Sequence, residues 1–283
     1  MSRPVALVTG ASRGIGAATA IALAEQGFDL AVGARTLSEG ERHEHGSRAA
    51  APDDRPLAGS LESTAAAIRA LGARALPLRL DLLERDTLAA AVDQTESRLG
   101  PIDLLVNNGI YQGPGVMDPC LELRLADAQK IFEANVLAPL WLVKRVLPGM
   151  LSRRRGCLVN LVSASGVTDP SAPSGEGGWG FAYAASKAAL GRLVGILTVE
   201  HVDGGVGFFN LEPGFIVTEL LRQSGLAAEF EGRLRGAPAT VPAAAIAWLA
   251  TDPDAGEYQG RTVSAQRLCS ERALVAGWPP ERS

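Results

Sequence analysis

Two residues one helical turn apart, Tyr183 and Lys187, are the clearest candidates for chemistry in this 283-residue chain. They lie in Phe181-Ala-Tyr183-Ala-Ala-Ser-Lys187, and a spacing of four places both on one face of a helix. A free phenol titrates at about 10, too high to exchange protons readily at neutral pH. A neighbouring ammonium favours the phenolate and so makes the tyrosine a usable general acid/base. The chain holds only three Tyr and three Lys. A chance pairing at this spacing is then roughly a 3% event, well above ordinary motif noise in specificity.

A second constellation is Thr9-Gly10-Ala11-Ser12-Arg13-Gly14-Ile15-Gly16, directly after the apolar run Val5–Thr9. Glycine lets the backbone turn sharply and approach a ligand with no Cβ in the way. The helix that follows offers free N–H groups and a positive dipole end to a pyrophosphate. The spacing is G-x-x-x-G-x-G rather than the commoner G-x-G-x-x-G. NAD-binding folds carry an acid for the ribose 2′-hydroxyl roughly 20 residues further on, whereas an arginine there suits a 2′-phosphate. This chain has Ala34 and Arg35 at that point, with Arg13 inside the glycine turn. Guanidinium forks match phosphate geometry. The expected cofactor is therefore NADP(H), with NAD(H) as the second choice.

The elements that must hold these groups alternate. Strand-like runs fall at Val5–Thr9, Asp29–Ala34, Ala73–Asp81, Ile102–Asn107, Cys157–Ser163, Gly207–Glu212 and Arg261–Ala265. Several are apolar nearly throughout, as strands buried on both faces of a parallel sheet must be. Helical patterns lie between them at Gly14–Gln26, Ser60–Leu71, Glu84–Leu99, Asp127–Leu151, Phe181–His201 and Pro242–Ala250. This order predicts an α/β fold: a doubly wound parallel sheet of about seven strands, a Rossmann fold, with helices on both faces. No second block has its own core, so residues 1–283 read as one domain. Two segments interrupt the rhythm, the Arg/Glu/His/Pro-rich 36–59 and the Gly/Pro/Ser-rich 166–180. Loops this long without periodicity tend to be functional. Because 36–59 starts straight after Arg35 and contains Arg42, Arg48 and Arg55, it is expected to fold over the adenosine phosphate.

The chain resembles the short-chain dehydrogenase/reductase superfamily in its single-domain branch. The matching residues run in order: TGASRGIG at 9–16, Asp81, Asn107-Asn108, Asn135, Ser163, Tyr183, Lys187, and Pro213-Gly214 with Thr218. The resemblance implies a hydride transfer between nicotinamide and a ketone or secondary alcohol of a small organic metabolite. In that scheme Tyr183 exchanges the proton, Lys187 lowers its pKa and holds the nicotinamide ribose, Ser163 polarises the reacting oxygen, and Asn135 positions a water. Gly10, Ser12, Arg13, Gly14, Ile15, Gly16, Arg35, Asp81, Leu82, Asn107, Gly109, Pro213, Gly214, Ile216 and Thr218 would join Tyr183 and Lys187 around the cofactor. Homodimers or homotetramers are also implied.

Departures from the family pattern are visible. After the fourth strand the chain reads Asn107-Asn108-Gly109-Ile110 in place of Asn-Asn-Ala-Gly. The gap from Ser163 to Tyr183 is lengthened by 166–180, and Ser165 rivals Ser163. The tail SAQRLCSERALVAGW replaces a glycine-rich ending.

Composition narrows the rest. Apolar residues make up 47% and charged residues 20%, which excludes wholesale disorder and coiled coil. A net charge of −4 gives no general attraction for nucleic acid. No apolar run approaches a membrane span, and no signal peptide precedes the first strand. Three scattered Cys suggest reduced thiols and a cytoplasmic location. His43-Glu44-His45 reads as a solvated pair rather than a metal site. Trp179 and Phe181 either line the substrate pocket or pack at its rim. The rival class is a nucleotide-binding redox sensor without turnover, for which a full Asn/Ser/Tyr/Lys set has no use.

Overall fold

The computed structural model of the chain describes residues 3–219 and 236–280. Seven strands form one parallel sheet: β1 (Val5–Thr9), β2 (Asp29–Ala34), β3 (Ala75–Arg79), β4 (Ile102–Asn107), β5 (Gly156–Leu161), β6 (Val206–Glu212) and β7 (Thr262–Ser264). Their order is β3-β2-β1-β4-β5-β6-β7, with every neighbouring pair parallel. Every residue of β1 and β2 is buried, which is why those runs are apolar without alternation.

Successive strand residues feed two cores. Ala6 and Val8 of β1 pack with α1 (Gly14–Glu25), α2 (Leu61–Ala70) and α7 (Thr240–Thr251). Leu7 between them packs on the other face with α3 (Arg85–Arg98), α5 (Ala138–Arg153) and α6 (Phe181–Glu200). The order reverses between β1 and β4. That leaves a crevice at the carboxyl ends of those strands, the place where open α/β sheets bind ligands.

Two expected elements differ. The helix expected over Asp127–Leu151 is broken into α4 (Leu125–Phe132), a wide π turn (Glu133–Leu137) and α5. Pro139 is the physical reason: it has no N–H, so the α-helical bond to the Asn135 carbonyl cannot form. The tail is also more than a replaced ending. It forms α8 (Ala265–Glu271), whose Leu268 and Cys269 are buried in the α1/α7 core. Burial pushes the Cys269 thiol up to about 11 and that of Cys157, in β5, to about 12, so neither is a ready nucleophile.

If the tail belongs to the core, Leu268→Ala lowers the urea-measured unfolding free energy by about 2–5 kcal/mol. A loss near zero would make α8 an appendage.

Candidate functional site

The glycine turn is built by close packing at the carboxyl edge. Gly10 sits at φ +68°, and a Cβ there would lie 2.7 Å from Gly109 Cα. A Cβ on Gly16 would meet the Gly10 carbonyl oxygen at 2.3 Å. Asn108 holds the turn against the end of β4: its Nδ2 donates to the carbonyls of Thr9 (2.8 Å) and Gly10 (3.2 Å). Thr9 Oγ1 accepts in return from the amides of Asn108 and Gly109. Gly109 therefore stands directly beneath Gly10, where the family's alanine would bring a methyl group. Asn108 was absent from the expected binding set, although it is the residue that locks the turn.

The N-cap residue of α1, Arg13, makes no side-chain cap to the helix. Its amides and dipole are left facing a cleft of about 290 Å³. Ser12, Gly14 and Ile15 line that cleft together with Arg35, Asp81 and Leu82 at the ends of β2 and β3. Arg35 is lightly committed, with one hydrogen bond of 3.3 Å to the Glu44 carbonyl. Arg13 also lines the cleft, but its guanidinium is engaged with the carbonyls of Leu57, Ala58 and Gly59 and with Thr36 Oγ1. Glu41, which sequence spacing did not bring here, stands in the same cleft. Its carboxylate accepts from the amides of Leu37 and Ser38, from His43 and from Arg79; the Ser38 amide first, then Arg79 and His43, hold it down to about 2. His45 is buried rather than solvated, its Nε2 donating to the Arg55 carbonyl at 2.9 Å. Among the described residues no group of three or more His, Cys, Asp or Glu is arranged to hold a metal.

Tyr183 and Lys187 line the other end of this cleft on one face of α6. The Lys187 side chain is only 4% exposed, and its Nζ donates to the Leu161 carbonyl at the end of β5, 2.7 Å away. Burial pushes the ammonium down to about 8. The half-buried Tyr183 phenol lies near the Ser163 hydroxyl, which lowers its pKa. Ser165 stands behind: its Oγ and its amide both donate to Ser163 Oγ, at 3.0 and 3.3 Å. That leaves the Ser163 proton free to point at the phenol oxygen. Asn135 is buried in the π turn, accepting from the Tyr111 amide (2.8 Å) and donating to Ser186 Oγ (3.0 Å). Its amide braces α6 rather than opening to the cleft.

The expected direction of the tyrosine shift is reversed. Burial raises the Tyr183 pKa above its ordinary value; the Ser163 hydrogen bond lowers it and the Glu212 carboxylate raises it further. The Lys187 ammonium is itself destabilised by burial and turned to the Leu161 carbonyl.

Other expected residues lie around the rim or behind it. Pro213 and Thr218 line the cleft. Gly214, at φ +76°, is braced by its amide bond to Glu212 Oε1 (2.8 Å), while Gln266 of α8 donates to the Pro213 carbonyl (3.4 Å). Ile216 is buried and bridged to Ala237. Asn107 is buried and donates to Asn160 on β5, so Gly109 and its neighbours, not Asn107, face the cleft. Trp179 is half-buried and Phe181 exposed. Between Thr218 and α7, residues 220–235 lie outside the described residues.

The donors present fit a nicotinamide dinucleotide. The turn has no Cβ where a diphosphate would approach, Arg13 makes no side-chain cap to α1, Arg35 gives one hydrogen bond among the described residues, to the Glu44 carbonyl, and Lys187 has N–H donors beyond the one given to Leu161. Carboxylates in the cleft oppose an anion, Glu219 most directly at the glycine turn. Glu219 Oε2 would lie 3.6 Å from a Cβ on Gly14 and must leave that spot for a diphosphate to settle.

The lysine shift makes a pH prediction. Its folded pKa of about 8 lies below the ordinary 10.5, so the unfolded chain binds more protons between those values and burial of the charge is relieved as pH rises. Unfolding free energies of the wild type should therefore improve relative to Lys187→Met from pH 8 to 10.5. A flat difference would show that the ammonium is not desolvated.

A sequence profile described as short chain dehydrogenase matches residues 4–54 and 55–228. The chain is 36% identical over 217 residues to a short chain dehydrogenase of Pseudocercospora fijiensis, covering 76% of this chain and 60% of that protein. It spans about three-fifths of the length of several other curated relatives. It is 30% identical over 267 residues to a 3-oxoacyl-[acyl-carrier-protein] reductase of Synechocystis, covering 93% and 95% of the two chains. A crystal structure of a 3-oxoacyl-[acyl-carrier protein] reductase from Brucella melitensis in complex with NAD superposes with a TM-score of 0.74 at 28% identity, over 94% of this chain and 96% of that one. With its glycine turn and its Tyr183 and buried Lys187 at one sheet edge, the chain belongs to the short-chain dehydrogenase family.

Proposed function

We propose that the protein is an NADP(H)-dependent oxidoreductase acting on a ketone or secondary alcohol of a small organic metabolite. The observation that carries this reading is a single cleft lined by Tyr183, the buried Lys187 and the residues at the N-terminus of α1. A bound nicotinamide would supply the hydride chemistry. Gly10, Ser12, Gly14, Ile15 and Gly16 would hold its diphosphate, with Arg35 beside the adenosine ribose and Lys187 on the nicotinamide ribose. Asp81, Leu82, Gly109, Pro213, Gly214, Ile216 and Thr218 would complete the surroundings, with Asn107 and Arg13 acting from behind.

Tyr183 passes its proton to the substrate oxygen. The phenol is protonated at neutral pH, the form that can deliver a proton to a carbonyl. Ser163 donates to the same oxygen and stabilises the charge that develops there. Asn135 acts through its backbone carbonyl, which Pro139 cannot engage, as the seat of a water. The reductase names of the Synechocystis and Brucella relatives speak for carbonyl reduction, and the NAD in the Brucella structure keeps NAD(H) as the runner-up cofactor.

We read residues 1–283 as one nucleotide-binding unit with insertions at 36–59 and 166–180. The exposed Leu137 and Leu140 near the start of α5, and Ile196 and Val199 on α6, support a homodimer or homotetramer. No helix among the described residues is long and apolar enough to cross a membrane, and the free thiols of Cys120, Cys157 and Cys269 suit the cytoplasm.

A panel of ketones and secondary alcohols, followed by NADPH absorbance, identifies the reaction. Tyr183→Phe should then lower turnover by about 10²–10⁴-fold with NADPH affinity retained. Substantial residual turnover would remove Tyr183 from the proton step. Tight NADPH binding with no carbonyl consumed would favour a redox sensor. Arg35→Ala should weaken NADPH binding by roughly 10–100-fold while NADH is unaffected. Equal losses for both cofactors would refute the phosphate role.

A further inference from the structure

The insertion 36–59 is tied down at its base, beside the glycine turn and β3, and at its tip. At the adenosine end its outgoing leg is fixed by Glu41, which bonds Arg79 at the tip of β3 at 3.1 and 3.2 Å. Its returning leg is fixed by Arg13 of the glycine turn, which takes the carbonyls of 57–59. At the opposite end its tip reaches two loops remote in sequence. The Met117 amide donates to the Ser47 carbonyl at 2.9 Å, and the Ala49 amide donates to both oxygens of Asp118 at 3.2 Å. Asp118 is 4% exposed. Arg48 donates to the Ser174 carbonyl at 3.5 Å, while Ser174 Oγ closes the triangle on the Met117 carbonyl at 2.7 Å. Gly175, at φ +88°, makes room: a Cβ there would fall 1.0 Å from Arg48 Nη2. Between these anchorages His43, His45, Arg55 and Leu57 face the cleft.

We propose that residues 36–59 are a strap coupling nucleotide occupancy to the shape of the substrate end, with Arg48 and Asp118 as its positioning residues. This rests on the cleft binding a dinucleotide, as read above. An adenosine moiety under the strap contacts the segment whose tip carries loops 113–119 and 170–178. Contacts that draw the strap inward move those loops with it, because hydrogen bonds join them at three points. The coupling is reciprocal: substrate that orders the loops tightens the nucleotide by the same factor. The catalytic groups Ser163, Tyr183 and Lys187 lie outside the strap, so the strap governs binding rather than proton transfer.

Hydrogen exchange on the full chain tests this with 2′,5′-ADP, a fragment that lacks nicotinamide and cannot touch the substrate end itself. The fragment should slow exchange in 36–59 and, by about 5-fold or more, in 113–119 and 170–178. Arg48→Ala should keep the first effect and lose the second, and Arg48→Lys should restore it. Unchanged exchange in the two loops when the fragment is bound to the wild type overturns the coupling, whether or not any variant folds. Repeating the measurement with 5′-ADP separates the two readings. Loop protection by 5′-ADP when 2′,5′-ADP does not bind keeps the strap and removes the NADP(H) preference. No binding of either overturns both.

Discussion

The cleft depends on where one buried positive charge is satisfied. Lys187 is almost wholly withdrawn from water, and a buried ammonium is costly unless it finds acceptors. It finds the carbonyl of Leu161, the last residue of β5. That bond fixes the rotation and height of α6 on the sheet, and so sets Tyr183, one turn earlier, beside Ser163. Two further contacts hold the same helix. Asn210 of β6 donates to the Gly191 carbonyl, and Asn135 reaches Ser186 from the π turn. The lysine is thus held in a dry place with donors left for a ligand, and the surrounding fold keeps it there.

The glycine turn is governed by a different constraint, close approach. Two backbones, at Gly10 and Gly109, must pass with no side chain between them, and Asn108 supplies the donors that hold them together. The turn and the α6 groups belong to different cores, on opposite faces of the sheet. Only the carboxyl edge, where the strand order reverses between β1 and β4, brings them to one crevice. The tail adds to this edge from outside, since Gln266 on α8 steadies the Pro213-Gly214 bend.

The segment 36–59 has almost no regular secondary structure, yet it is held throughout by charge-assisted hydrogen bonds. Glu41 gathers two amides, His43 and Arg79, while Glu44 Oε1 takes the amides of Gly46 and Asp53. Carboxylates that accept several N–H donors can order a loop that has no apolar face to bury. The composition that makes this stretch look like a tolerated surface insertion is the same composition that lets it be anchored at both ends.

The sequence by itself determined the βα order, the uniformly apolar strands, the glycine turn and the Tyr183/Lys187 pairing. These follow from local periodicity, backbone freedom and a four-residue spacing, all properties of neighbours along the chain. Tertiary structure alone decided the rest. The break at Asn135 needs Pro139 and two partners, Tyr111 and Ser186, from other elements. The direction of the Tyr183 shift depends on burial and on Glu212, neither of which spacing reveals. Arg13 is drawn to carbonyls some 45 residues away, and Glu41 folds back to Arg79. Desolvation and long-range hydrogen bonds depend on which surfaces meet, and no pattern along a strand or helix encodes that.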